Sequence, residues 1–176
     1  MTEEKPLGYD IPPGQTIAGI GGVFGRLNAV NPGAKIEPGS YNLATGVSAV
    51  GTLTVTNGLT VSNGGAYVVD LRSLNDDSAP GDGQNWDKIA VTGGATLFDK
   101  SGFVTVNFIN STHAPDSGAP FWDSPKEWTI LTASAPVAGR LSVSNKYWPN
   151  GLFITQPEGN ALKLKWMKSS TLLFLK

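Results

Sequence analysis

The chain has one histidine, His113, in the stretch "NSTHAPDSG", with Ser111, Thr112 and Asp116 beside it. Serine, histidine and aspartate can build a nucleophile, but only when a rigid scaffold holds the base against the hydroxyl. No nucleophile-elbow pattern surrounds these residues, and a solvated loop histidine is the expectation. A second group, Asp76, Asp77 and Asp82, lies in "NDDSAPGDGQNWD". Several carboxylates on a tight turn suit calcium, which takes oxygen ligands. The spacing matches neither an EF-hand loop nor a nonapeptide calcium repeat, so a solvated loop is the competing reading. Asp87, which closes that stretch, is assigned the separate role of ending the loop and entering the next strand. A third group is aromatic. Trp86, Trp122 and Trp148 fall in loops and are the candidate platform for stacking a sugar. Trp128 and Trp166 fall in strands and read as core or end-cap residues. Sugar-cleaving chemistry needs clustered carboxylates or a cationic base on one strand face. The strand faces here carry Thr, Ser and Asn, so no catalysis and no cofactor are expected.

These residues must be positioned by strands. Helical periodicity is nearly absent, whereas two-residue alternation recurs along the chain. "TLTVT" sets Leu53 and Val55 on one face, "LTVS" sets Leu59 and Val61, and "AYVVDL" sets Tyr67, Val69 and Leu71. "KIAVT" gives Ile89 and Val91, "ATLF" gives Ala95 and Leu97, and "FVTVNFI" gives Val104, Val106 and Phe108. "EWTILTA", "RLSVS", "LFIT", "ALKLKW" and "TLLFL" complete the series. β-Branched residues dominate because they fit a pleated surface. The 22 glycines and 12 prolines among 176 residues supply tight turns. Charged residues are 15% of the chain, below the roughly 25% usual for soluble proteins. The net charge of -1 with no basic stripe excludes a nucleic-acid partner. The absence of cysteine excludes disulfides and thiolate metal sites. No apolar run approaches a membrane helix.

Two connections in this pattern can be read in opposite ways. Asn57-Gly58 and Asn63-Gly64, between alternating segments, are the strongest local signal for a β-hairpin. The same residues suit the corners of a stacked coil, which also needs positive φ. "GTLTVTNG", "GLTVSNGG" and "IAVTGGATL" repeat one motif, as a coil requires. Periodicity alone leaves an antiparallel sandwich or jelly roll open beside a parallel solenoid.

The segments "GIGGVFGRLNAVNPGAKIEPGS", "VGTLTVTNGLTVSNGGAYVVDL" and "WDKIAVTGGATL" resemble the autotransporter-associated β-strand repeat of bacterial surface proteins. The matching elements are Gly33 to Ser40, Gly51 to Ala66, Asp70 with Leu71, and Asp87 to Leu97, within residues 19 to 109. The resemblance implies an all-β, right-handed parallel β-helix or β-solenoid. It also implies a non-catalytic structural or adhesion module at the cell surface or outside the cell. The alternative function is a carbohydrate-binding module or glycan-active protein, with a surface glycan as partner. The chain lacks the room for the family's membrane barrel, and "MTEEKPLGYD" is not a signal peptide. A passenger fragment or short relative is therefore expected.

The sequence divides into a Gly/Pro-rich lead or cap, 1–25, and a single β domain, 26–176. Leu53, Val55, Leu59, Val61, Val69, Ile89, Val91, Leu97, Val104 and Val106 are expected to face inward. Lys163 and Lys165 are expected to guard an edge strand. The apolar tail, with Leu172, Leu173, Phe174 and Leu175, is the expected self-association element, making a homo-oligomer or fibre through open ends.

Overall fold

The structure is a computed structural model that describes residues 8–42, 47–71, 86–108, 120–144, 147–148 and 151–169. Of residues 40–42, 47–48, 120–121 and 147–148, only the backbone is described. The chain is all-β, with one short 3-10 helix, Pro120–Asp123, and no α-helix among the described residues.

Three sheets take their strands in rotation. The first set is β1 (Tyr9–Asp10) in sheet I, β2 (Thr16–Gly19) in sheet II and β3 (Gly21–Val23) in sheet III. The second set is β4 (Leu27–Ala29) in sheet I and β5 (Lys35–Pro38) in sheet II. A small antiparallel pair, β6 (Ser40–Asn42) and β7 (Val47–Ala49), follows, and β8 (Thr52–Val55) joins sheet III. Then come β9 (Leu59–Val61), β10 (Ala66–Leu71) and β11 (Lys88–Val91), and after them β12 (Thr96–Phe98), β13 (Phe103–Phe108) and β14 (Lys126–Ala133). The last set is β15 (Val137–Ala138) in sheet I and β16 (Ser142–Val143) in sheet II. β17 (Tyr147–Trp148), β18 (Gly151–Glu158) and β19 (Ala161–Lys168) complete sheet III among the described residues. Every pairing in sheets I and II is parallel. Sheet III is parallel from β3 to β14 and antiparallel beyond it, in the order β14, β19, β18, β17.

The rotation settles the two ambiguous turns. β8 and β9, on either side of Asn57-Gly58, lie in different sheets, and so do β9 and β10 around Asn63-Gly64. The positive φ these turns need is present, at 98° for Gly58, 48° for Asn63 and 82° for Gly64. The antiparallel alternative is not formed there.

Parallel, in-register pairing stacks like positions over one another. Leu27, Leu59, Thr96 and Val137 form one column, Ile36, Tyr67, Val104 and Val143 another, and Leu53, Ile89 and Leu131 a third, which Leu162 extends across the antiparallel β14–β19 pair. All these residues are buried and make one continuous core. The chain packs closely enough that a Cβ on Gly139 would lie 1.8 Å from the Phe98 carbonyl oxygen.

Two expectations need correction. Leu97 was assigned inward and is instead 40% exposed, while Thr96 and Phe98 point into the core. The cause is register: Thr96 pairs with Leu59 and Phe98 with Val61, both fully buried, so the parity of β9 fixes that of β12. Lys163 and Lys165 do not guard an edge, because β19 lies between β14 and β18. The turn at Gly159 folds β18 and β19 into a hairpin that places β18 beyond β19, with β17 beyond both. Among the described residues, 9–23 supply the edge strand of all three sheets.

Candidate functional site

The functional groups of greatest interest gather where sheet II hands over to sheet III. Glu37 comes from β5, Asp70 from β10 and Asn107 from β13, and Asp87 stands immediately before β11. Asp70 and Asn107 are register partners on parallel strands, so the Asn107 amide donates to the Asp70 carboxylate at 3.1 Å. Asp87 is fully buried. Its Oδ1 accepts the Gly51 N–H at 2.9 Å and its Oδ2 accepts the Asp70 N–H at 3.1 Å. Its own N–H donates to the Asp70 carbonyl at 2.9 Å. The single proton of the Tyr67 hydroxyl goes to the Ile130 carbonyl at 2.6 Å, with the Asp87 carbonyl a longer 3.3 Å from the same oxygen. Gly39 passes so close that a Cβ there would sit 2.9 Å from Asp87 Oδ1 and 2.3 Å from the Ala49 carbonyl oxygen.

Burial dominates the electrostatics of this cluster. It pushes the Asp87 carboxyl up to about 8; the two backbone donors oppose the rise, and Asp70 and Glu37 add to it. Burial also raises Asp70, against the pull of Asn107. Glu37 is raised by burial and by Asp70, with Lys35 opposing. A perturbed acid in a cleft is a catalytic signature, but here the acids are closed off. Asp87 and Asp70 are 0% and 3% exposed, and Asp87 commits both oxygens to main-chain donors. Hydrolysis of a sugar chain needs two carboxylates facing the substrate. Among the carboxylates of the cluster, only Glu37 is partly open.

The tryptophans are placed differently from their sequence assignment. Trp86 is 1% exposed and donates its indole N–H to the Thr129 carbonyl at 3.0 Å, while its backbone bridges to Leu71. Trp122 is 2% exposed. The 3-10 helix Pro120–Asp123 carries its ring inward, edge-on to Trp166 at 4.9 Å and within 6.5 Å of Trp128, Phe108 and Phe153. Both rings belong to the core and offer no stacking face to solvent. Trp148 is in β17, and its side chain lies outside the described residues. Trp128 and Trp166 are core residues, as expected.

The candidate calcium ligands Asp76, Asp77 and Asp82, the loop residues Ser111, Thr112, His113 and Asp116, and the tail Leu172, Leu173, Phe174 and Leu175 all lie outside the described residues. Among the described residues no group of three or more potential ligands could hold a metal ion. Two cavities adjoin at the opposite end from β1, of about 280 and 410 Å³, and share Lys100 and Arg140. Neither touches the acid cluster.

Sequence reasoning missed the Asp87 bracket. The one available signal was an aspartate wedged between Trp86 and a strand; its acceptor role depends on Gly51 and Asp70, which are remote in sequence. Comparison with known proteins adds no identification: no protein-family model matches the chain, and no curated protein matches it.

Proposed function

We propose that the chain is a right-handed parallel β-solenoid that serves as a non-catalytic structural or adhesion module of a bacterial surface protein. The rotation of strands through three parallel sheets supports a coil, and parallel strands joined across a layered fold prefer the right-handed sense. The surface role rests on the resemblance to the autotransporter-associated repeat, at Gly51 to Ala66 and Asp87 to Leu97 above all.

One observation carries the non-catalytic part: the most perturbed acid, Asp87, spends both oxygens on the N–H groups of Gly51 and Asp70. It works as a main-chain brace between successive coils. The glycan reading loses ground because two of its three rings, Trp86 and Trp122, are buried.

The test has two arms. Protease shaving of intact cells of the source organism releases peptides of this chain if it is surface-displayed, whereas detection only in the cell interior overturns that role. A polysaccharide panel and a glycan array then separate the classes. Release of reducing ends that disappears in Glu37→Gln would make the cluster catalytic. Saturable binding of one glycan would favour the alternative.

A further inference from the structure

The two ends of the stack are built differently. At the far end, the β18–β19 hairpin folds over the last coil. The Thr155 hydroxyl donates to the Leu141 carbonyl, and the Val137 and Ala133 N–H groups donate to the carbonyls of Gly159 and Asn160. Lys163 and Lys165 pair with Glu127, and Lys165 also with Glu158, on the outer face of sheet III, while the hairpin lies against β15 and β16, the last strands of sheets I and II. At the near end, β1, β2 and β3 are each the last strand of their sheet, and among the described residues nothing pairs with their outer edges. Three large apolar side chains stand exposed there: Tyr9 at 52%, Ile20 at 66% and Phe24 at 91%. Between Gly8 and Gly25 the sequence holds a single charged residue, Asp10, and the Asn28 amide already binds its carboxylate at 2.7 Å. Proteins protect exposed strand edges with lysine, bulges or covering segments. This edge has no lysine, and its apolar rim favours contact over solvent.

We propose that two copies of this chain join head to head, the first coil of one pairing edge to edge with the first coil of the other. The proposal rests on the coiled reading above. The occupant must present main-chain donors and acceptors along three edges arranged as these are, together with apolar side chains and almost no charge. The same end of a second copy has all of these properties. A two-fold axis through the middle of β2 sets β2 antiparallel to its mate and β1 opposite the partner's β3, so the patch complements itself. The closed hairpin at the other end blocks head-to-tail stacking, so assembly stops at two copies instead of growing into a fibre. This places self-association at the opposite end from the apolar tail singled out in the sequence.

The chain has no cysteine, so a single thiol reports the contact cleanly. Ala18, exposed in β2, lies near the axis and close to its own counterpart across the strand pair. Sedimentation velocity on the full chain should give a dimer at high concentration. Ala18→Cys should form a disulfide-linked dimer under mild oxidation, whereas Glu158→Cys should not. Phe24→Asp, at a fully open position, should shift the chain to monomer without changing its circular dichroism. A monomer at every concentration overturns the proposal; if removing residues 1–7 then produces dimers, those residues are the true occupant. A ladder of higher oligomers, a dimer unaffected by Phe24→Asp, or cross-linking through Glu158→Cys also overturns it. Backbone NOEs between Leu59 and Thr96 report the coil separately, so failure of the dimer and failure of the coil are told apart.

Discussion

Two buried polar side chains show how a single residue sets conditions for the whole. Thr96 stands in a column between Leu59 and Val137, 1% exposed, and its hydroxyl finds no partner. An unsatisfied buried hydroxyl costs about 1–3 kcal/mol. Thr96→Val keeps the shape and removes that cost, so chemical denaturation should show a gain of about 1 kcal/mol; a loss would mean that the hydroxyl has a partner. Asp87 behaves differently, because its state changes with pH. Its carboxyl holds its proton up to about pH 8 in the folded chain and releases it near the ordinary value of 3.8 when unfolded. Between these limits the folded state binds more protons, so stability falls as pH rises. The contribution is complete below about pH 4, drains away through the neutral range and is gone above about pH 8. Asp70 and Glu37, also raised, add to the same trend at its lower end. Glu127 opposes it: its hydrogen bonds from Lys163 and Lys165 lower it, so its stabilisation is present above its usual range and lost in acid. The melting temperature should therefore be lower at pH 8.5 than at pH 5.5, by roughly 5 °C. Asp87→Asn should flatten that slope and lower stability at pH 5.5, because the amide nitrogen cannot accept the Asp70 N–H. An unchanged slope in the variant would remove Asp87 as its source.

At the scale of elements, the β18–β19 hairpin shows which contacts hold the far end. Trp166 on β19 is fully buried against Trp122, and truncating a buried tryptophan to alanine costs about 3–5 kcal/mol. Lys163, on the other face of the same strand, pairs with Glu127 across a partly solvated surface, where such pairs contribute about 0–1 kcal/mol. Trp166→Ala should therefore lower the denaturation midpoint far more than Lys163→Ala. Equal effects would mean that the charge network, not packing, secures the cap. The same elements show what the sequence could reveal. Val104 and Val106 were readable as inward-facing because one parity of β13 is apolar throughout. β12 defeats that rule, since "ATLF" carries apolar residues on both parities and only pairing with Leu59 and Val61 decides between them. Trp86 and Trp122 resemble loop residues because their burial comes from strands distant in sequence. The Asp87 bracket joins residues 36 and 17 positions apart, and no local period records such spacings. The repeated Thr/Val and Gly motifs announced strands and tight corners but left parallel and antiparallel pairing open, because Asn-Gly serves both; pairing between strands remote in sequence decides for parallel sheets, and the closing antiparallel hairpin was not legible.

At the scale of the molecule, stability should be graded along the stack. Each set of strands touches mainly the set before it and the set after it, so cohesion accumulates from neighbour to neighbour. Among the described residues, the set β9–β11 has partners on both sides, whereas β1–β3 has a partner on one side only. The far end differs again, because the hairpin covers it and supplies the Asn160 carbonyl to the Ala133 N–H at 2.7 Å. Opening should therefore begin at the β1 end and spread inward, as local unfolding starts where few contacts must be lost. Hydrogen exchange reads this directly. The Tyr9 and Ile11 amides, bonded to the Arg26 and Asn28 carbonyls at 2.7 and 2.9 Å, should exchange early despite their good geometry. The Leu59 and Ser62 amides, bonded at 3.0 Å to the Ala95 and Ala29 carbonyls, should persist until the whole chain unfolds. Since the two pairs of bonds are alike in length, any difference in protection reports position in the stack and not bond quality. Equal protection of all four amides would show that the molecule opens as one block, with its first set as firmly held as its middle.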